Sequence, residues 1–114
     1  MRIATFNIQH GRGPDGEVDL ERLAAAAALL DADVLALQEV DVEVARSHGA
    51  NLAAVAAGDM AFAFAPAMAI RHGWYGNALV VRGTISDSDV LELPGEEGDE
   101  PRVAILARVR PDGG

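Results

Sequence analysis

The sequence predicts an α/β fold in which a mixed sheet begins with a parallel βαβ unit and carries its helices on one face. Residues 34–37 form an unbroken apolar run between Asp33 and the polar pair Gln38 and Glu39, as in a strand buried on both faces. An amphipathic helical segment precedes this run, and an alternating strand precedes that segment. Strand, helix and strand of matching length predict a right-handed crossover with parallel strands.

The βαβ unit is taken in chain order. Its first strand covers residues 2–9, because apolar and other residues alternate until the pattern turns polar. Three glycines and a proline make residues 10–16 a loop. The helix covers residues 19–31, and Asp19 is its expected N-cap. The second strand covers residues 34–39.

Later elements are shorter and less regular. They are a helix over residues 51–57, strands over residues 61–65, 77–82, 84–93 and 102–109, a turn over residues 73–76 that carries Trp74 and Tyr75, and a loop over residues 94–101. The strand residues Phe6, Ile8, Leu35 and Leu37 are expected to supply apolar surface on both sides of the sheet. Because two helices cover one face alone, self-association through an uncovered sheet face is expected.

Composition narrows the class of protein. The 114 residues suit one domain or part of one, and a hydrophobic content of 50% favours a folded chain. The absence of cysteine excludes disulfides and thiolate metal sites. A formal charge of −9 does not favour a nucleic-acid partner, although it leaves one open. With neither a targeting segment nor a membrane span in the pattern, a cytoplasmic location is expected.

Asn7 and Glu39 are the candidate catalytic and metal-binding residues. Parallel strands end at the same edge of a sheet, where ligands of α/β proteins bind, so these two side chains are predicted to be neighbours. Magnesium takes oxygen ligands and often uses one or two carboxylates together with substrate phosphate. The competing interpretation is that Glu39 is a solvent-facing carboxylate at a strand end.

Two other patterns are weaker. Gly11, Gly13 and Gly16 spell the dinucleotide-binding fingerprint, but the predicted helix begins too late for its amides to face a pyrophosphate. Seven acidic residues and no basic one lie within residues 87–100. A loop of this composition is more often a solvated turn than a metal cluster.

Five segments together resemble the endonuclease/exonuclease/phosphatase superfamily. They are Thr-Phe-Asn-Ile-Gln-His-Gly at 5–11, Asp-Ala-Asp-Val-Leu-Ala-Leu-Gln-Glu-Val-Asp at 31–41, Arg-Ser at 46–47, Tyr-Gly-Asn-Ala-Leu at 75–79 and Glu-Pro-Arg at 100–102. The resemblance implies half of a four-layer α/β/β/α sandwich and a metal-dependent phosphoric ester hydrolase. It implies that Glu39 and Asn7 serve weakly bound magnesium or manganese and that Gln38 supports them. It also makes Arg46, Tyr75 and Asn77 candidates for contact with a phosphate-ester substrate.

The chain departs from the family pattern in its length. Family domains are about twice as long, and their later Thr-His-Leu, Gly-Asp-x-Asn and Asp-His segments have no counterpart here. Residues 1–114 are therefore expected to be a single partial domain, the N-terminal half of a family domain, with doubtful activity on its own. The alternative is a non-catalytic binding or interaction module, or an inactive fragment.

Overall fold

The computed structural model describes residues 1–113 and contains two helices and six strands. The strands are β1 (Ile3–Asn7), β2 (Val34–Val42), β3 (Ala61–Ile70), β4 (Gly73–Val81), β5 (Gly83–Glu92) and β6 (Val103–Pro111). The helices are α1 (Leu20–Leu29) and α2 (Leu52–Ala57), and short 3-10 turns cover Gln9–Gly11 and Ala45–Ser47. None of the helices described is long and apolar enough to cross a membrane.

The mixed sheet has the order β1-β2-β4-β3. β1 pairs with β2 in parallel, and α1 forms the connection between them, so the predicted βαβ start is confirmed. β4 pairs antiparallel with both β2 and β3. β5 and β6 form a separate antiparallel hairpin that contacts β3 and β4.

The helices cover one face of the sheet, as predicted. The main core contains Leu23 and Ala27 of α1, four residues of α2, and inward-facing residues of β2 and β4. The core residues outside the helices include Ile8, Leu35, Leu37, Val40, Ala78 and Val80. The expectation that Phe6, Ile8, Leu35 and Leu37 expose apolar surface on both faces is wrong. The bulge in β2 lies after Leu37, so strand alternation up to that point is undisturbed. All four side chains therefore point to the same face of the sheet and pack against the helices.

Helix boundaries follow the capping residues in the sequence. The side chain of Asp19 accepts a hydrogen bond from the Arg22 amide at 3.1 Å, which confirms its role as N-cap of α1. Asn51 caps α2 in the same way through the Ala54 amide, also at 3.1 Å. Gly58 ends α2 with a positive φ of 61°, a conformation that glycine adopts without a steric penalty.

The predicted turn at residues 73–76 is instead part of a strand. β4 begins at Gly73, and the hairpin turn lies at Arg71 and His72. A Cβ on Gly76 would overlap the carbonyl oxygen of Ala65, so glycine permits close strand pairing here rather than a turn. β3 also runs past Pro66 to Ile70, because a bulge between Pro66 and Met68 absorbs the proline.

β1 and β2 end at different places from those expected. β1 stops at Asn7, and Gln9 and His10 then adopt left-handed φ values of 47° and 45°. β2 continues past Glu39 to Val42, because β4 pairs with it as far as Val42 opposite Trp74. Glu39 therefore lies inside β2, in a bulge, and not at the end of the strand.

Candidate active site

The bulge in β2 fixes the position of Glu39. The register with β4 shifts between Leu37 and Val40, and Glu39 has a φ of 56° in this interval. Left-handed φ in a residue with a Cβ costs of order 1–3 kcal/mol and persists only where the surroundings impose it. The bulge interrupts the strand alternation, so it redirects the carboxylate without ending the strand.

Asn7 lies beside the bulge, as the parallel topology predicts. It pairs in register with Gln38, the residue before Glu39. Its Oδ1 accepts a hydrogen bond from the Gln9 amide at 3.0 Å, which holds the side chain over the turn after β1. Asn7 also lines a cavity of about 330 Å3 between β1 and α1, and Glu39 does not line that cavity. The structure brings the two residues to one end of the sheet without a hydrogen bond between them.

Gln38 is held against β1 on the face opposite the helices. Its Nε2 donates to Thr5 Oγ1 at 2.9 Å. Thr5 and Asn7 share this face of β1, since alternate residues of a strand point the same way. Within residues 1–113 the carbonyl oxygen of the Gln38 side chain makes no hydrogen bond, so it can accept one from water or a ligand.

A cavity of about 280 Å3 lies in front of Glu39 and is called here the Glu39 cavity. Its polar lining consists of Gln38, Glu39, Tyr75, Asn77, Glu100 and Arg102. Two of the predicted substrate residues, Tyr75 and Asn77, are therefore brought to Glu39 by β4. Glu100 and Arg102 were not among the predicted site residues, although the Glu-Pro-Arg segment that contains them was the available signal.

Asn77 connects the cavity to the start of β6. Its Nδ2 donates to the carbonyl oxygen of Val103 at 3.0 Å. Val103 is buried, and it follows Arg102 directly in the chain. Part of the hydrogen-bonding capacity of Asn77 thus serves to hold the segment that presents Arg102.

Arg46 lies beside the Glu39 cavity and is fixed by a buried carboxylate. Its Nε and Nη2 donate to Asp41 at 2.8 and 2.9 Å, and Ser47 Oγ lies 2.6 Å from Asp41 Oδ2. Asp41 is 0% exposed. The hydrogen bonds to Asp41 raise the pKa of Arg46 above its ordinary value, so the guanidinium is charged at any working pH. Asp41 and Ser47 were not predicted as site residues.

Tyr75 stands between Arg46 and Glu39. The guanidinium carbon of Arg46 lies 5.6 Å from the centre of the Tyr75 ring, a cation–π distance. Burial raises the pKa of Tyr75 to about 12, and the negative charge of Glu39 acts in the same direction. The phenol is therefore protonated at neutral pH and can donate a hydrogen bond.

Of the other residues considered, Glu100 lines the Glu39 cavity, whereas the histidines and the glycine loop lie outside its lining. His48 Nε2 is 2.9 Å from the Val18 carbonyl oxygen, and no histidine lines the Glu39 cavity. All seven acidic residues within residues 87–100 are exposed, which fits the solvated interpretation of that segment. In the glycine loop, Arg22 binds Asp15 and crowds Gly13, which counts against a pyrophosphate site there.

Comparison with known proteins addresses the family directly. The model of the Endonuclease/Exonuclease/phosphatase family matches residues 4–114. The chain belongs to this family. The resemblance drawn from the five sequence segments is therefore confirmed. No curated protein gives a significant match.

Two solved structures share the fold. An endonuclease/exonuclease/phosphatase from Beutenbergia cavernae DSM 12333 matches with a TM-score of 0.74 and 25% identity, over 99% of this chain and 35% of that chain. An endonuclease/exonuclease/phosphatase family protein from Leptotrichia buccalis C-1013-b matches with a TM-score of 0.64 and 16% identity, over 99% of this chain and 50% of that chain. The 114 residues thus span half or less of these relatives, and the mixed α/β fold class is confirmed.

Proposed function

We propose that the chain carries the Glu39 part of a metal-dependent phosphoric ester hydrolase. The observation that carries the proposal is the position of Glu39 in a strained bulge, facing a cavity that also contains Tyr75 and Arg102. Glu39 is one of seven non-glycine residues with a positive φ, and a strained carboxylate that also faces a cleft is typical of functional sites. Membership of the family, whose name joins nucleases with phosphatases, supports hydrolytic chemistry.

The donor set fits magnesium or manganese, with weak binding. Glu39 supplies a carboxylate and Asn7 an amide oxygen, which is the oxygen chemistry that these cations prefer. Within residues 1–113, no group of three or more aspartate, glutamate, histidine or cysteine side chains is arranged to hold a metal ion. We therefore expect most of the coordination shell to come from water and substrate phosphate. When bound, the metal would supply Lewis-acid polarisation of the phosphoryl group.

Other residues in and beside the Glu39 cavity bind and orient the ester. Arg102 and the uncommitted Nη1 of Arg46 donate hydrogen bonds to phosphoryl oxygens, and guanidinium groups suit such oxygens in geometry and charge. Tyr75 donates from a phenol that stays protonated. These donors stabilise the negative charge that increases on the phosphoryl oxygens during ester cleavage.

The test is hydrolysis of a fluorogenic phosphodiester with magnesium or manganese. We expect Glu39→Gln to lower the metal-dependent rate by a factor of about 100 or more, since it removes a charged group at the reacting centre. Glu97→Gln is the matched control, because Glu97 is exposed and outside the Glu39 cavity. Measurable metal-dependent turnover at equal rates in the two variants would contradict the proposal.

A second candidate function is binding of phosphate esters without turnover. It is favoured by two observations on the described residues: no histidine lines the Glu39 cavity, and no group of three or more histidine, cysteine, aspartate or glutamate side chains is arranged to hold a metal ion. Broadening of backbone NMR signals by manganese separates the candidates when no turnover is measured. Broadening around Glu39 that disappears in Glu39→Gln supports the binding function, and no broadening there contradicts both.

A further inference from the structure

A second cavity is lined by basic, acidic and apolar side chains, and Arg46 is one of them. It has a volume of about 490 Å3 and lies between the 3-10 turn Ala45–Ser47 and the hairpin turn between β3 and β4. Arg46, Arg71 and His72 line it together with Glu43, and Val44 and Ile70 contribute apolar surface. It is called here the Arg71 cavity.

Its charge contrasts with that of the whole chain. The chain carries nine basic residues against 18 acidic ones, yet two arginines and a histidine meet at this one cavity. Arg71 takes part in none of the salt bridges found among residues 1–113, and neither does Glu43. Among the described residues the Arg71 guanidinium is therefore available to an anion, and Glu43 supplies a carboxylate to the same lining.

Arg46 joins the Arg71 cavity to the Glu39 cavity. It lines the Arg71 cavity and also lies over the ring of Tyr75, which lines the Glu39 cavity. Asp41 occupies its Nε and Nη2, whereas Nη1 makes no hydrogen bond within residues 1–113. Arg46, which lines one cavity, and Tyr75, which lines the other, are thus in direct contact.

We propose that the Arg71 cavity binds a second, non-scissile phosphate of a small bisphosphorylated substrate. This inference rests on the proposed function for the identity of the first phosphate. Guanidinium groups form paired hydrogen bonds with phosphate oxygens, and a histidine can donate another. The apolar surface can contact the carbon atoms that separate two phosphates. The formal charge of −9 disfavours a long polyanion, so a small ligand with two phosphates is the class that fits.

The first experiment measures binding in metal-free buffer, by calorimetry with adenosine 3′,5′-bisphosphate and adenosine 5′-monophosphate. We expect the bisphosphate to bind about tenfold more tightly or better, because hydrogen bonds between charged groups are worth at least that factor. Arg71→Gln should remove most of this preference, and His72→Gln should reduce it. Arg108→Gln is the control, since Arg108 is an exposed arginine on β6 and the charge change is the same.

The outcomes separate this proposal from the proposed function. An equal loss of affinity in Arg71→Gln and Arg108→Gln overturns the Arg71 site, whatever Glu39 does. Binding that depends on Arg71, together with a Glu39→Gln variant that is unchanged in metal binding and hydrolysis, overturns the proposed function and leaves the anion site standing. A short oligothymidylate that binds more tightly than the bisphosphate and depends on Arg71 overturns the assignment to a small substrate.

Discussion

Arg46 donates from Nε and Nη2 to the two carboxylate oxygens of Asp41, so a half-exposed guanidinium is fixed by a carboxylate with no exposed surface. Ser47 binds the same carboxylate and lies 3.0 Å from the carbonyl oxygen of His10. The pair thereby links β2, the 3-10 turn after it and the turn after β1. Its loss should affect both stability and the orientation of the site.

Arg46→Gln is predicted to destabilise the fold by about 3 kcal/mol. It leaves the Asp41 carboxylate buried with Ser47 as its remaining side-chain partner, and uncompensated buried charges cost about that much. Urea unfolding measures the change. Arg108→Gln serves as control and should lie within about 0.5 kcal/mol of the parent. The double variant with Asp41→Asn should recover most of the loss, and a double variant as unstable as Arg46→Gln would contradict the argument.

The phenol of Tyr75 should titrate far above its ordinary range. Burial raises its pKa to about 12 from 10.0, so the folded state holds the proton more tightly than the unfolded state. The corresponding stability is fully present below pH 10 and is lost as the pH rises through about 12. Ultraviolet absorbance of phenolate reports the titration, because the chain has one tyrosine. A midpoint at the ordinary value in the folded protein would show that the ring is solvated.

Removal of negative charge at Glu39 should lower that titration midpoint. Glu39 opposes formation of the phenolate, so its conversion to glutamine removes one cause of the raised pKa. We expect Glu39→Gln to shift the midpoint downward and Glu97→Gln to leave it in place. This comparison measures the proximity of Glu39 and Tyr75 without any assay of activity.

Gly76→Ala should destabilise the fold by about 3 kcal/mol or more. A Cβ there would overlap the backbone carbonyl of Ala65, and strands β3 and β4 would have to separate. Gly95→Ala is the control, because its nearest neighbour would be an Asp99 oxygen at 3.6 Å. Thermal unfolding followed by circular dichroism checks both. Equal melting temperatures would mean that the close pairing of β3 and β4 is not present in solution.

Self-association stays a prediction, but the structure changes the surface that is expected to cause it. Leu91, Leu93 and Leu106 are 49%, 46% and 53% exposed. The β5–β6 register places Leu91 and Leu106 on one face of the hairpin, because Leu106 opposes Asp89, two residues from Leu91. Light scattering should show mass increasing with concentration. Leu91→Ser with Leu106→Ser should reduce it, whereas Leu29→Ser on α1 should not.

Local patterns predicted most of the βαβ unit, because its information is local. The cap at Asp19, the glycine after α2 and the alternation in β1 each follow from contacts within a few residues. Close glycine contacts are different, since Gly76 faces a strand partner eleven residues earlier in the chain. Glycine alone does not distinguish such a contact from a turn. The sequence pattern therefore predicts the start of β4 at residue 77, whereas the strand begins at Gly73.

The same distinction holds for the site. The sequence predicts that Asn7 and Glu39 are neighbours, because parallel strands end at the same edge of a sheet. The bulge that redirects Glu39 depends on pairing with β4, which the local sequence does not show. Asp41 lies two residues beyond the predicted strand at 34–39, where a charged residue is expected to be exposed. Its burial depends on Arg46 and Ser47, and a sequence pattern does not show that a charged residue has found partners.

The strand order gives the two halves of the site unequal resistance to local opening. Glu39 is on β2, which is bonded on both sides, whereas Asn7 is on β1, which pairs along one side only within the described chain. Amide hydrogen exchange should therefore be faster in β1 than in β2, through fluctuations smaller than global unfolding. A ligand that contacts both residues must keep β1 paired with β2. Its affinity is therefore reduced by the free-energy cost of suppressing the local opening of β1. Its binding should appear first as slowed exchange at Phe6 and Asn7.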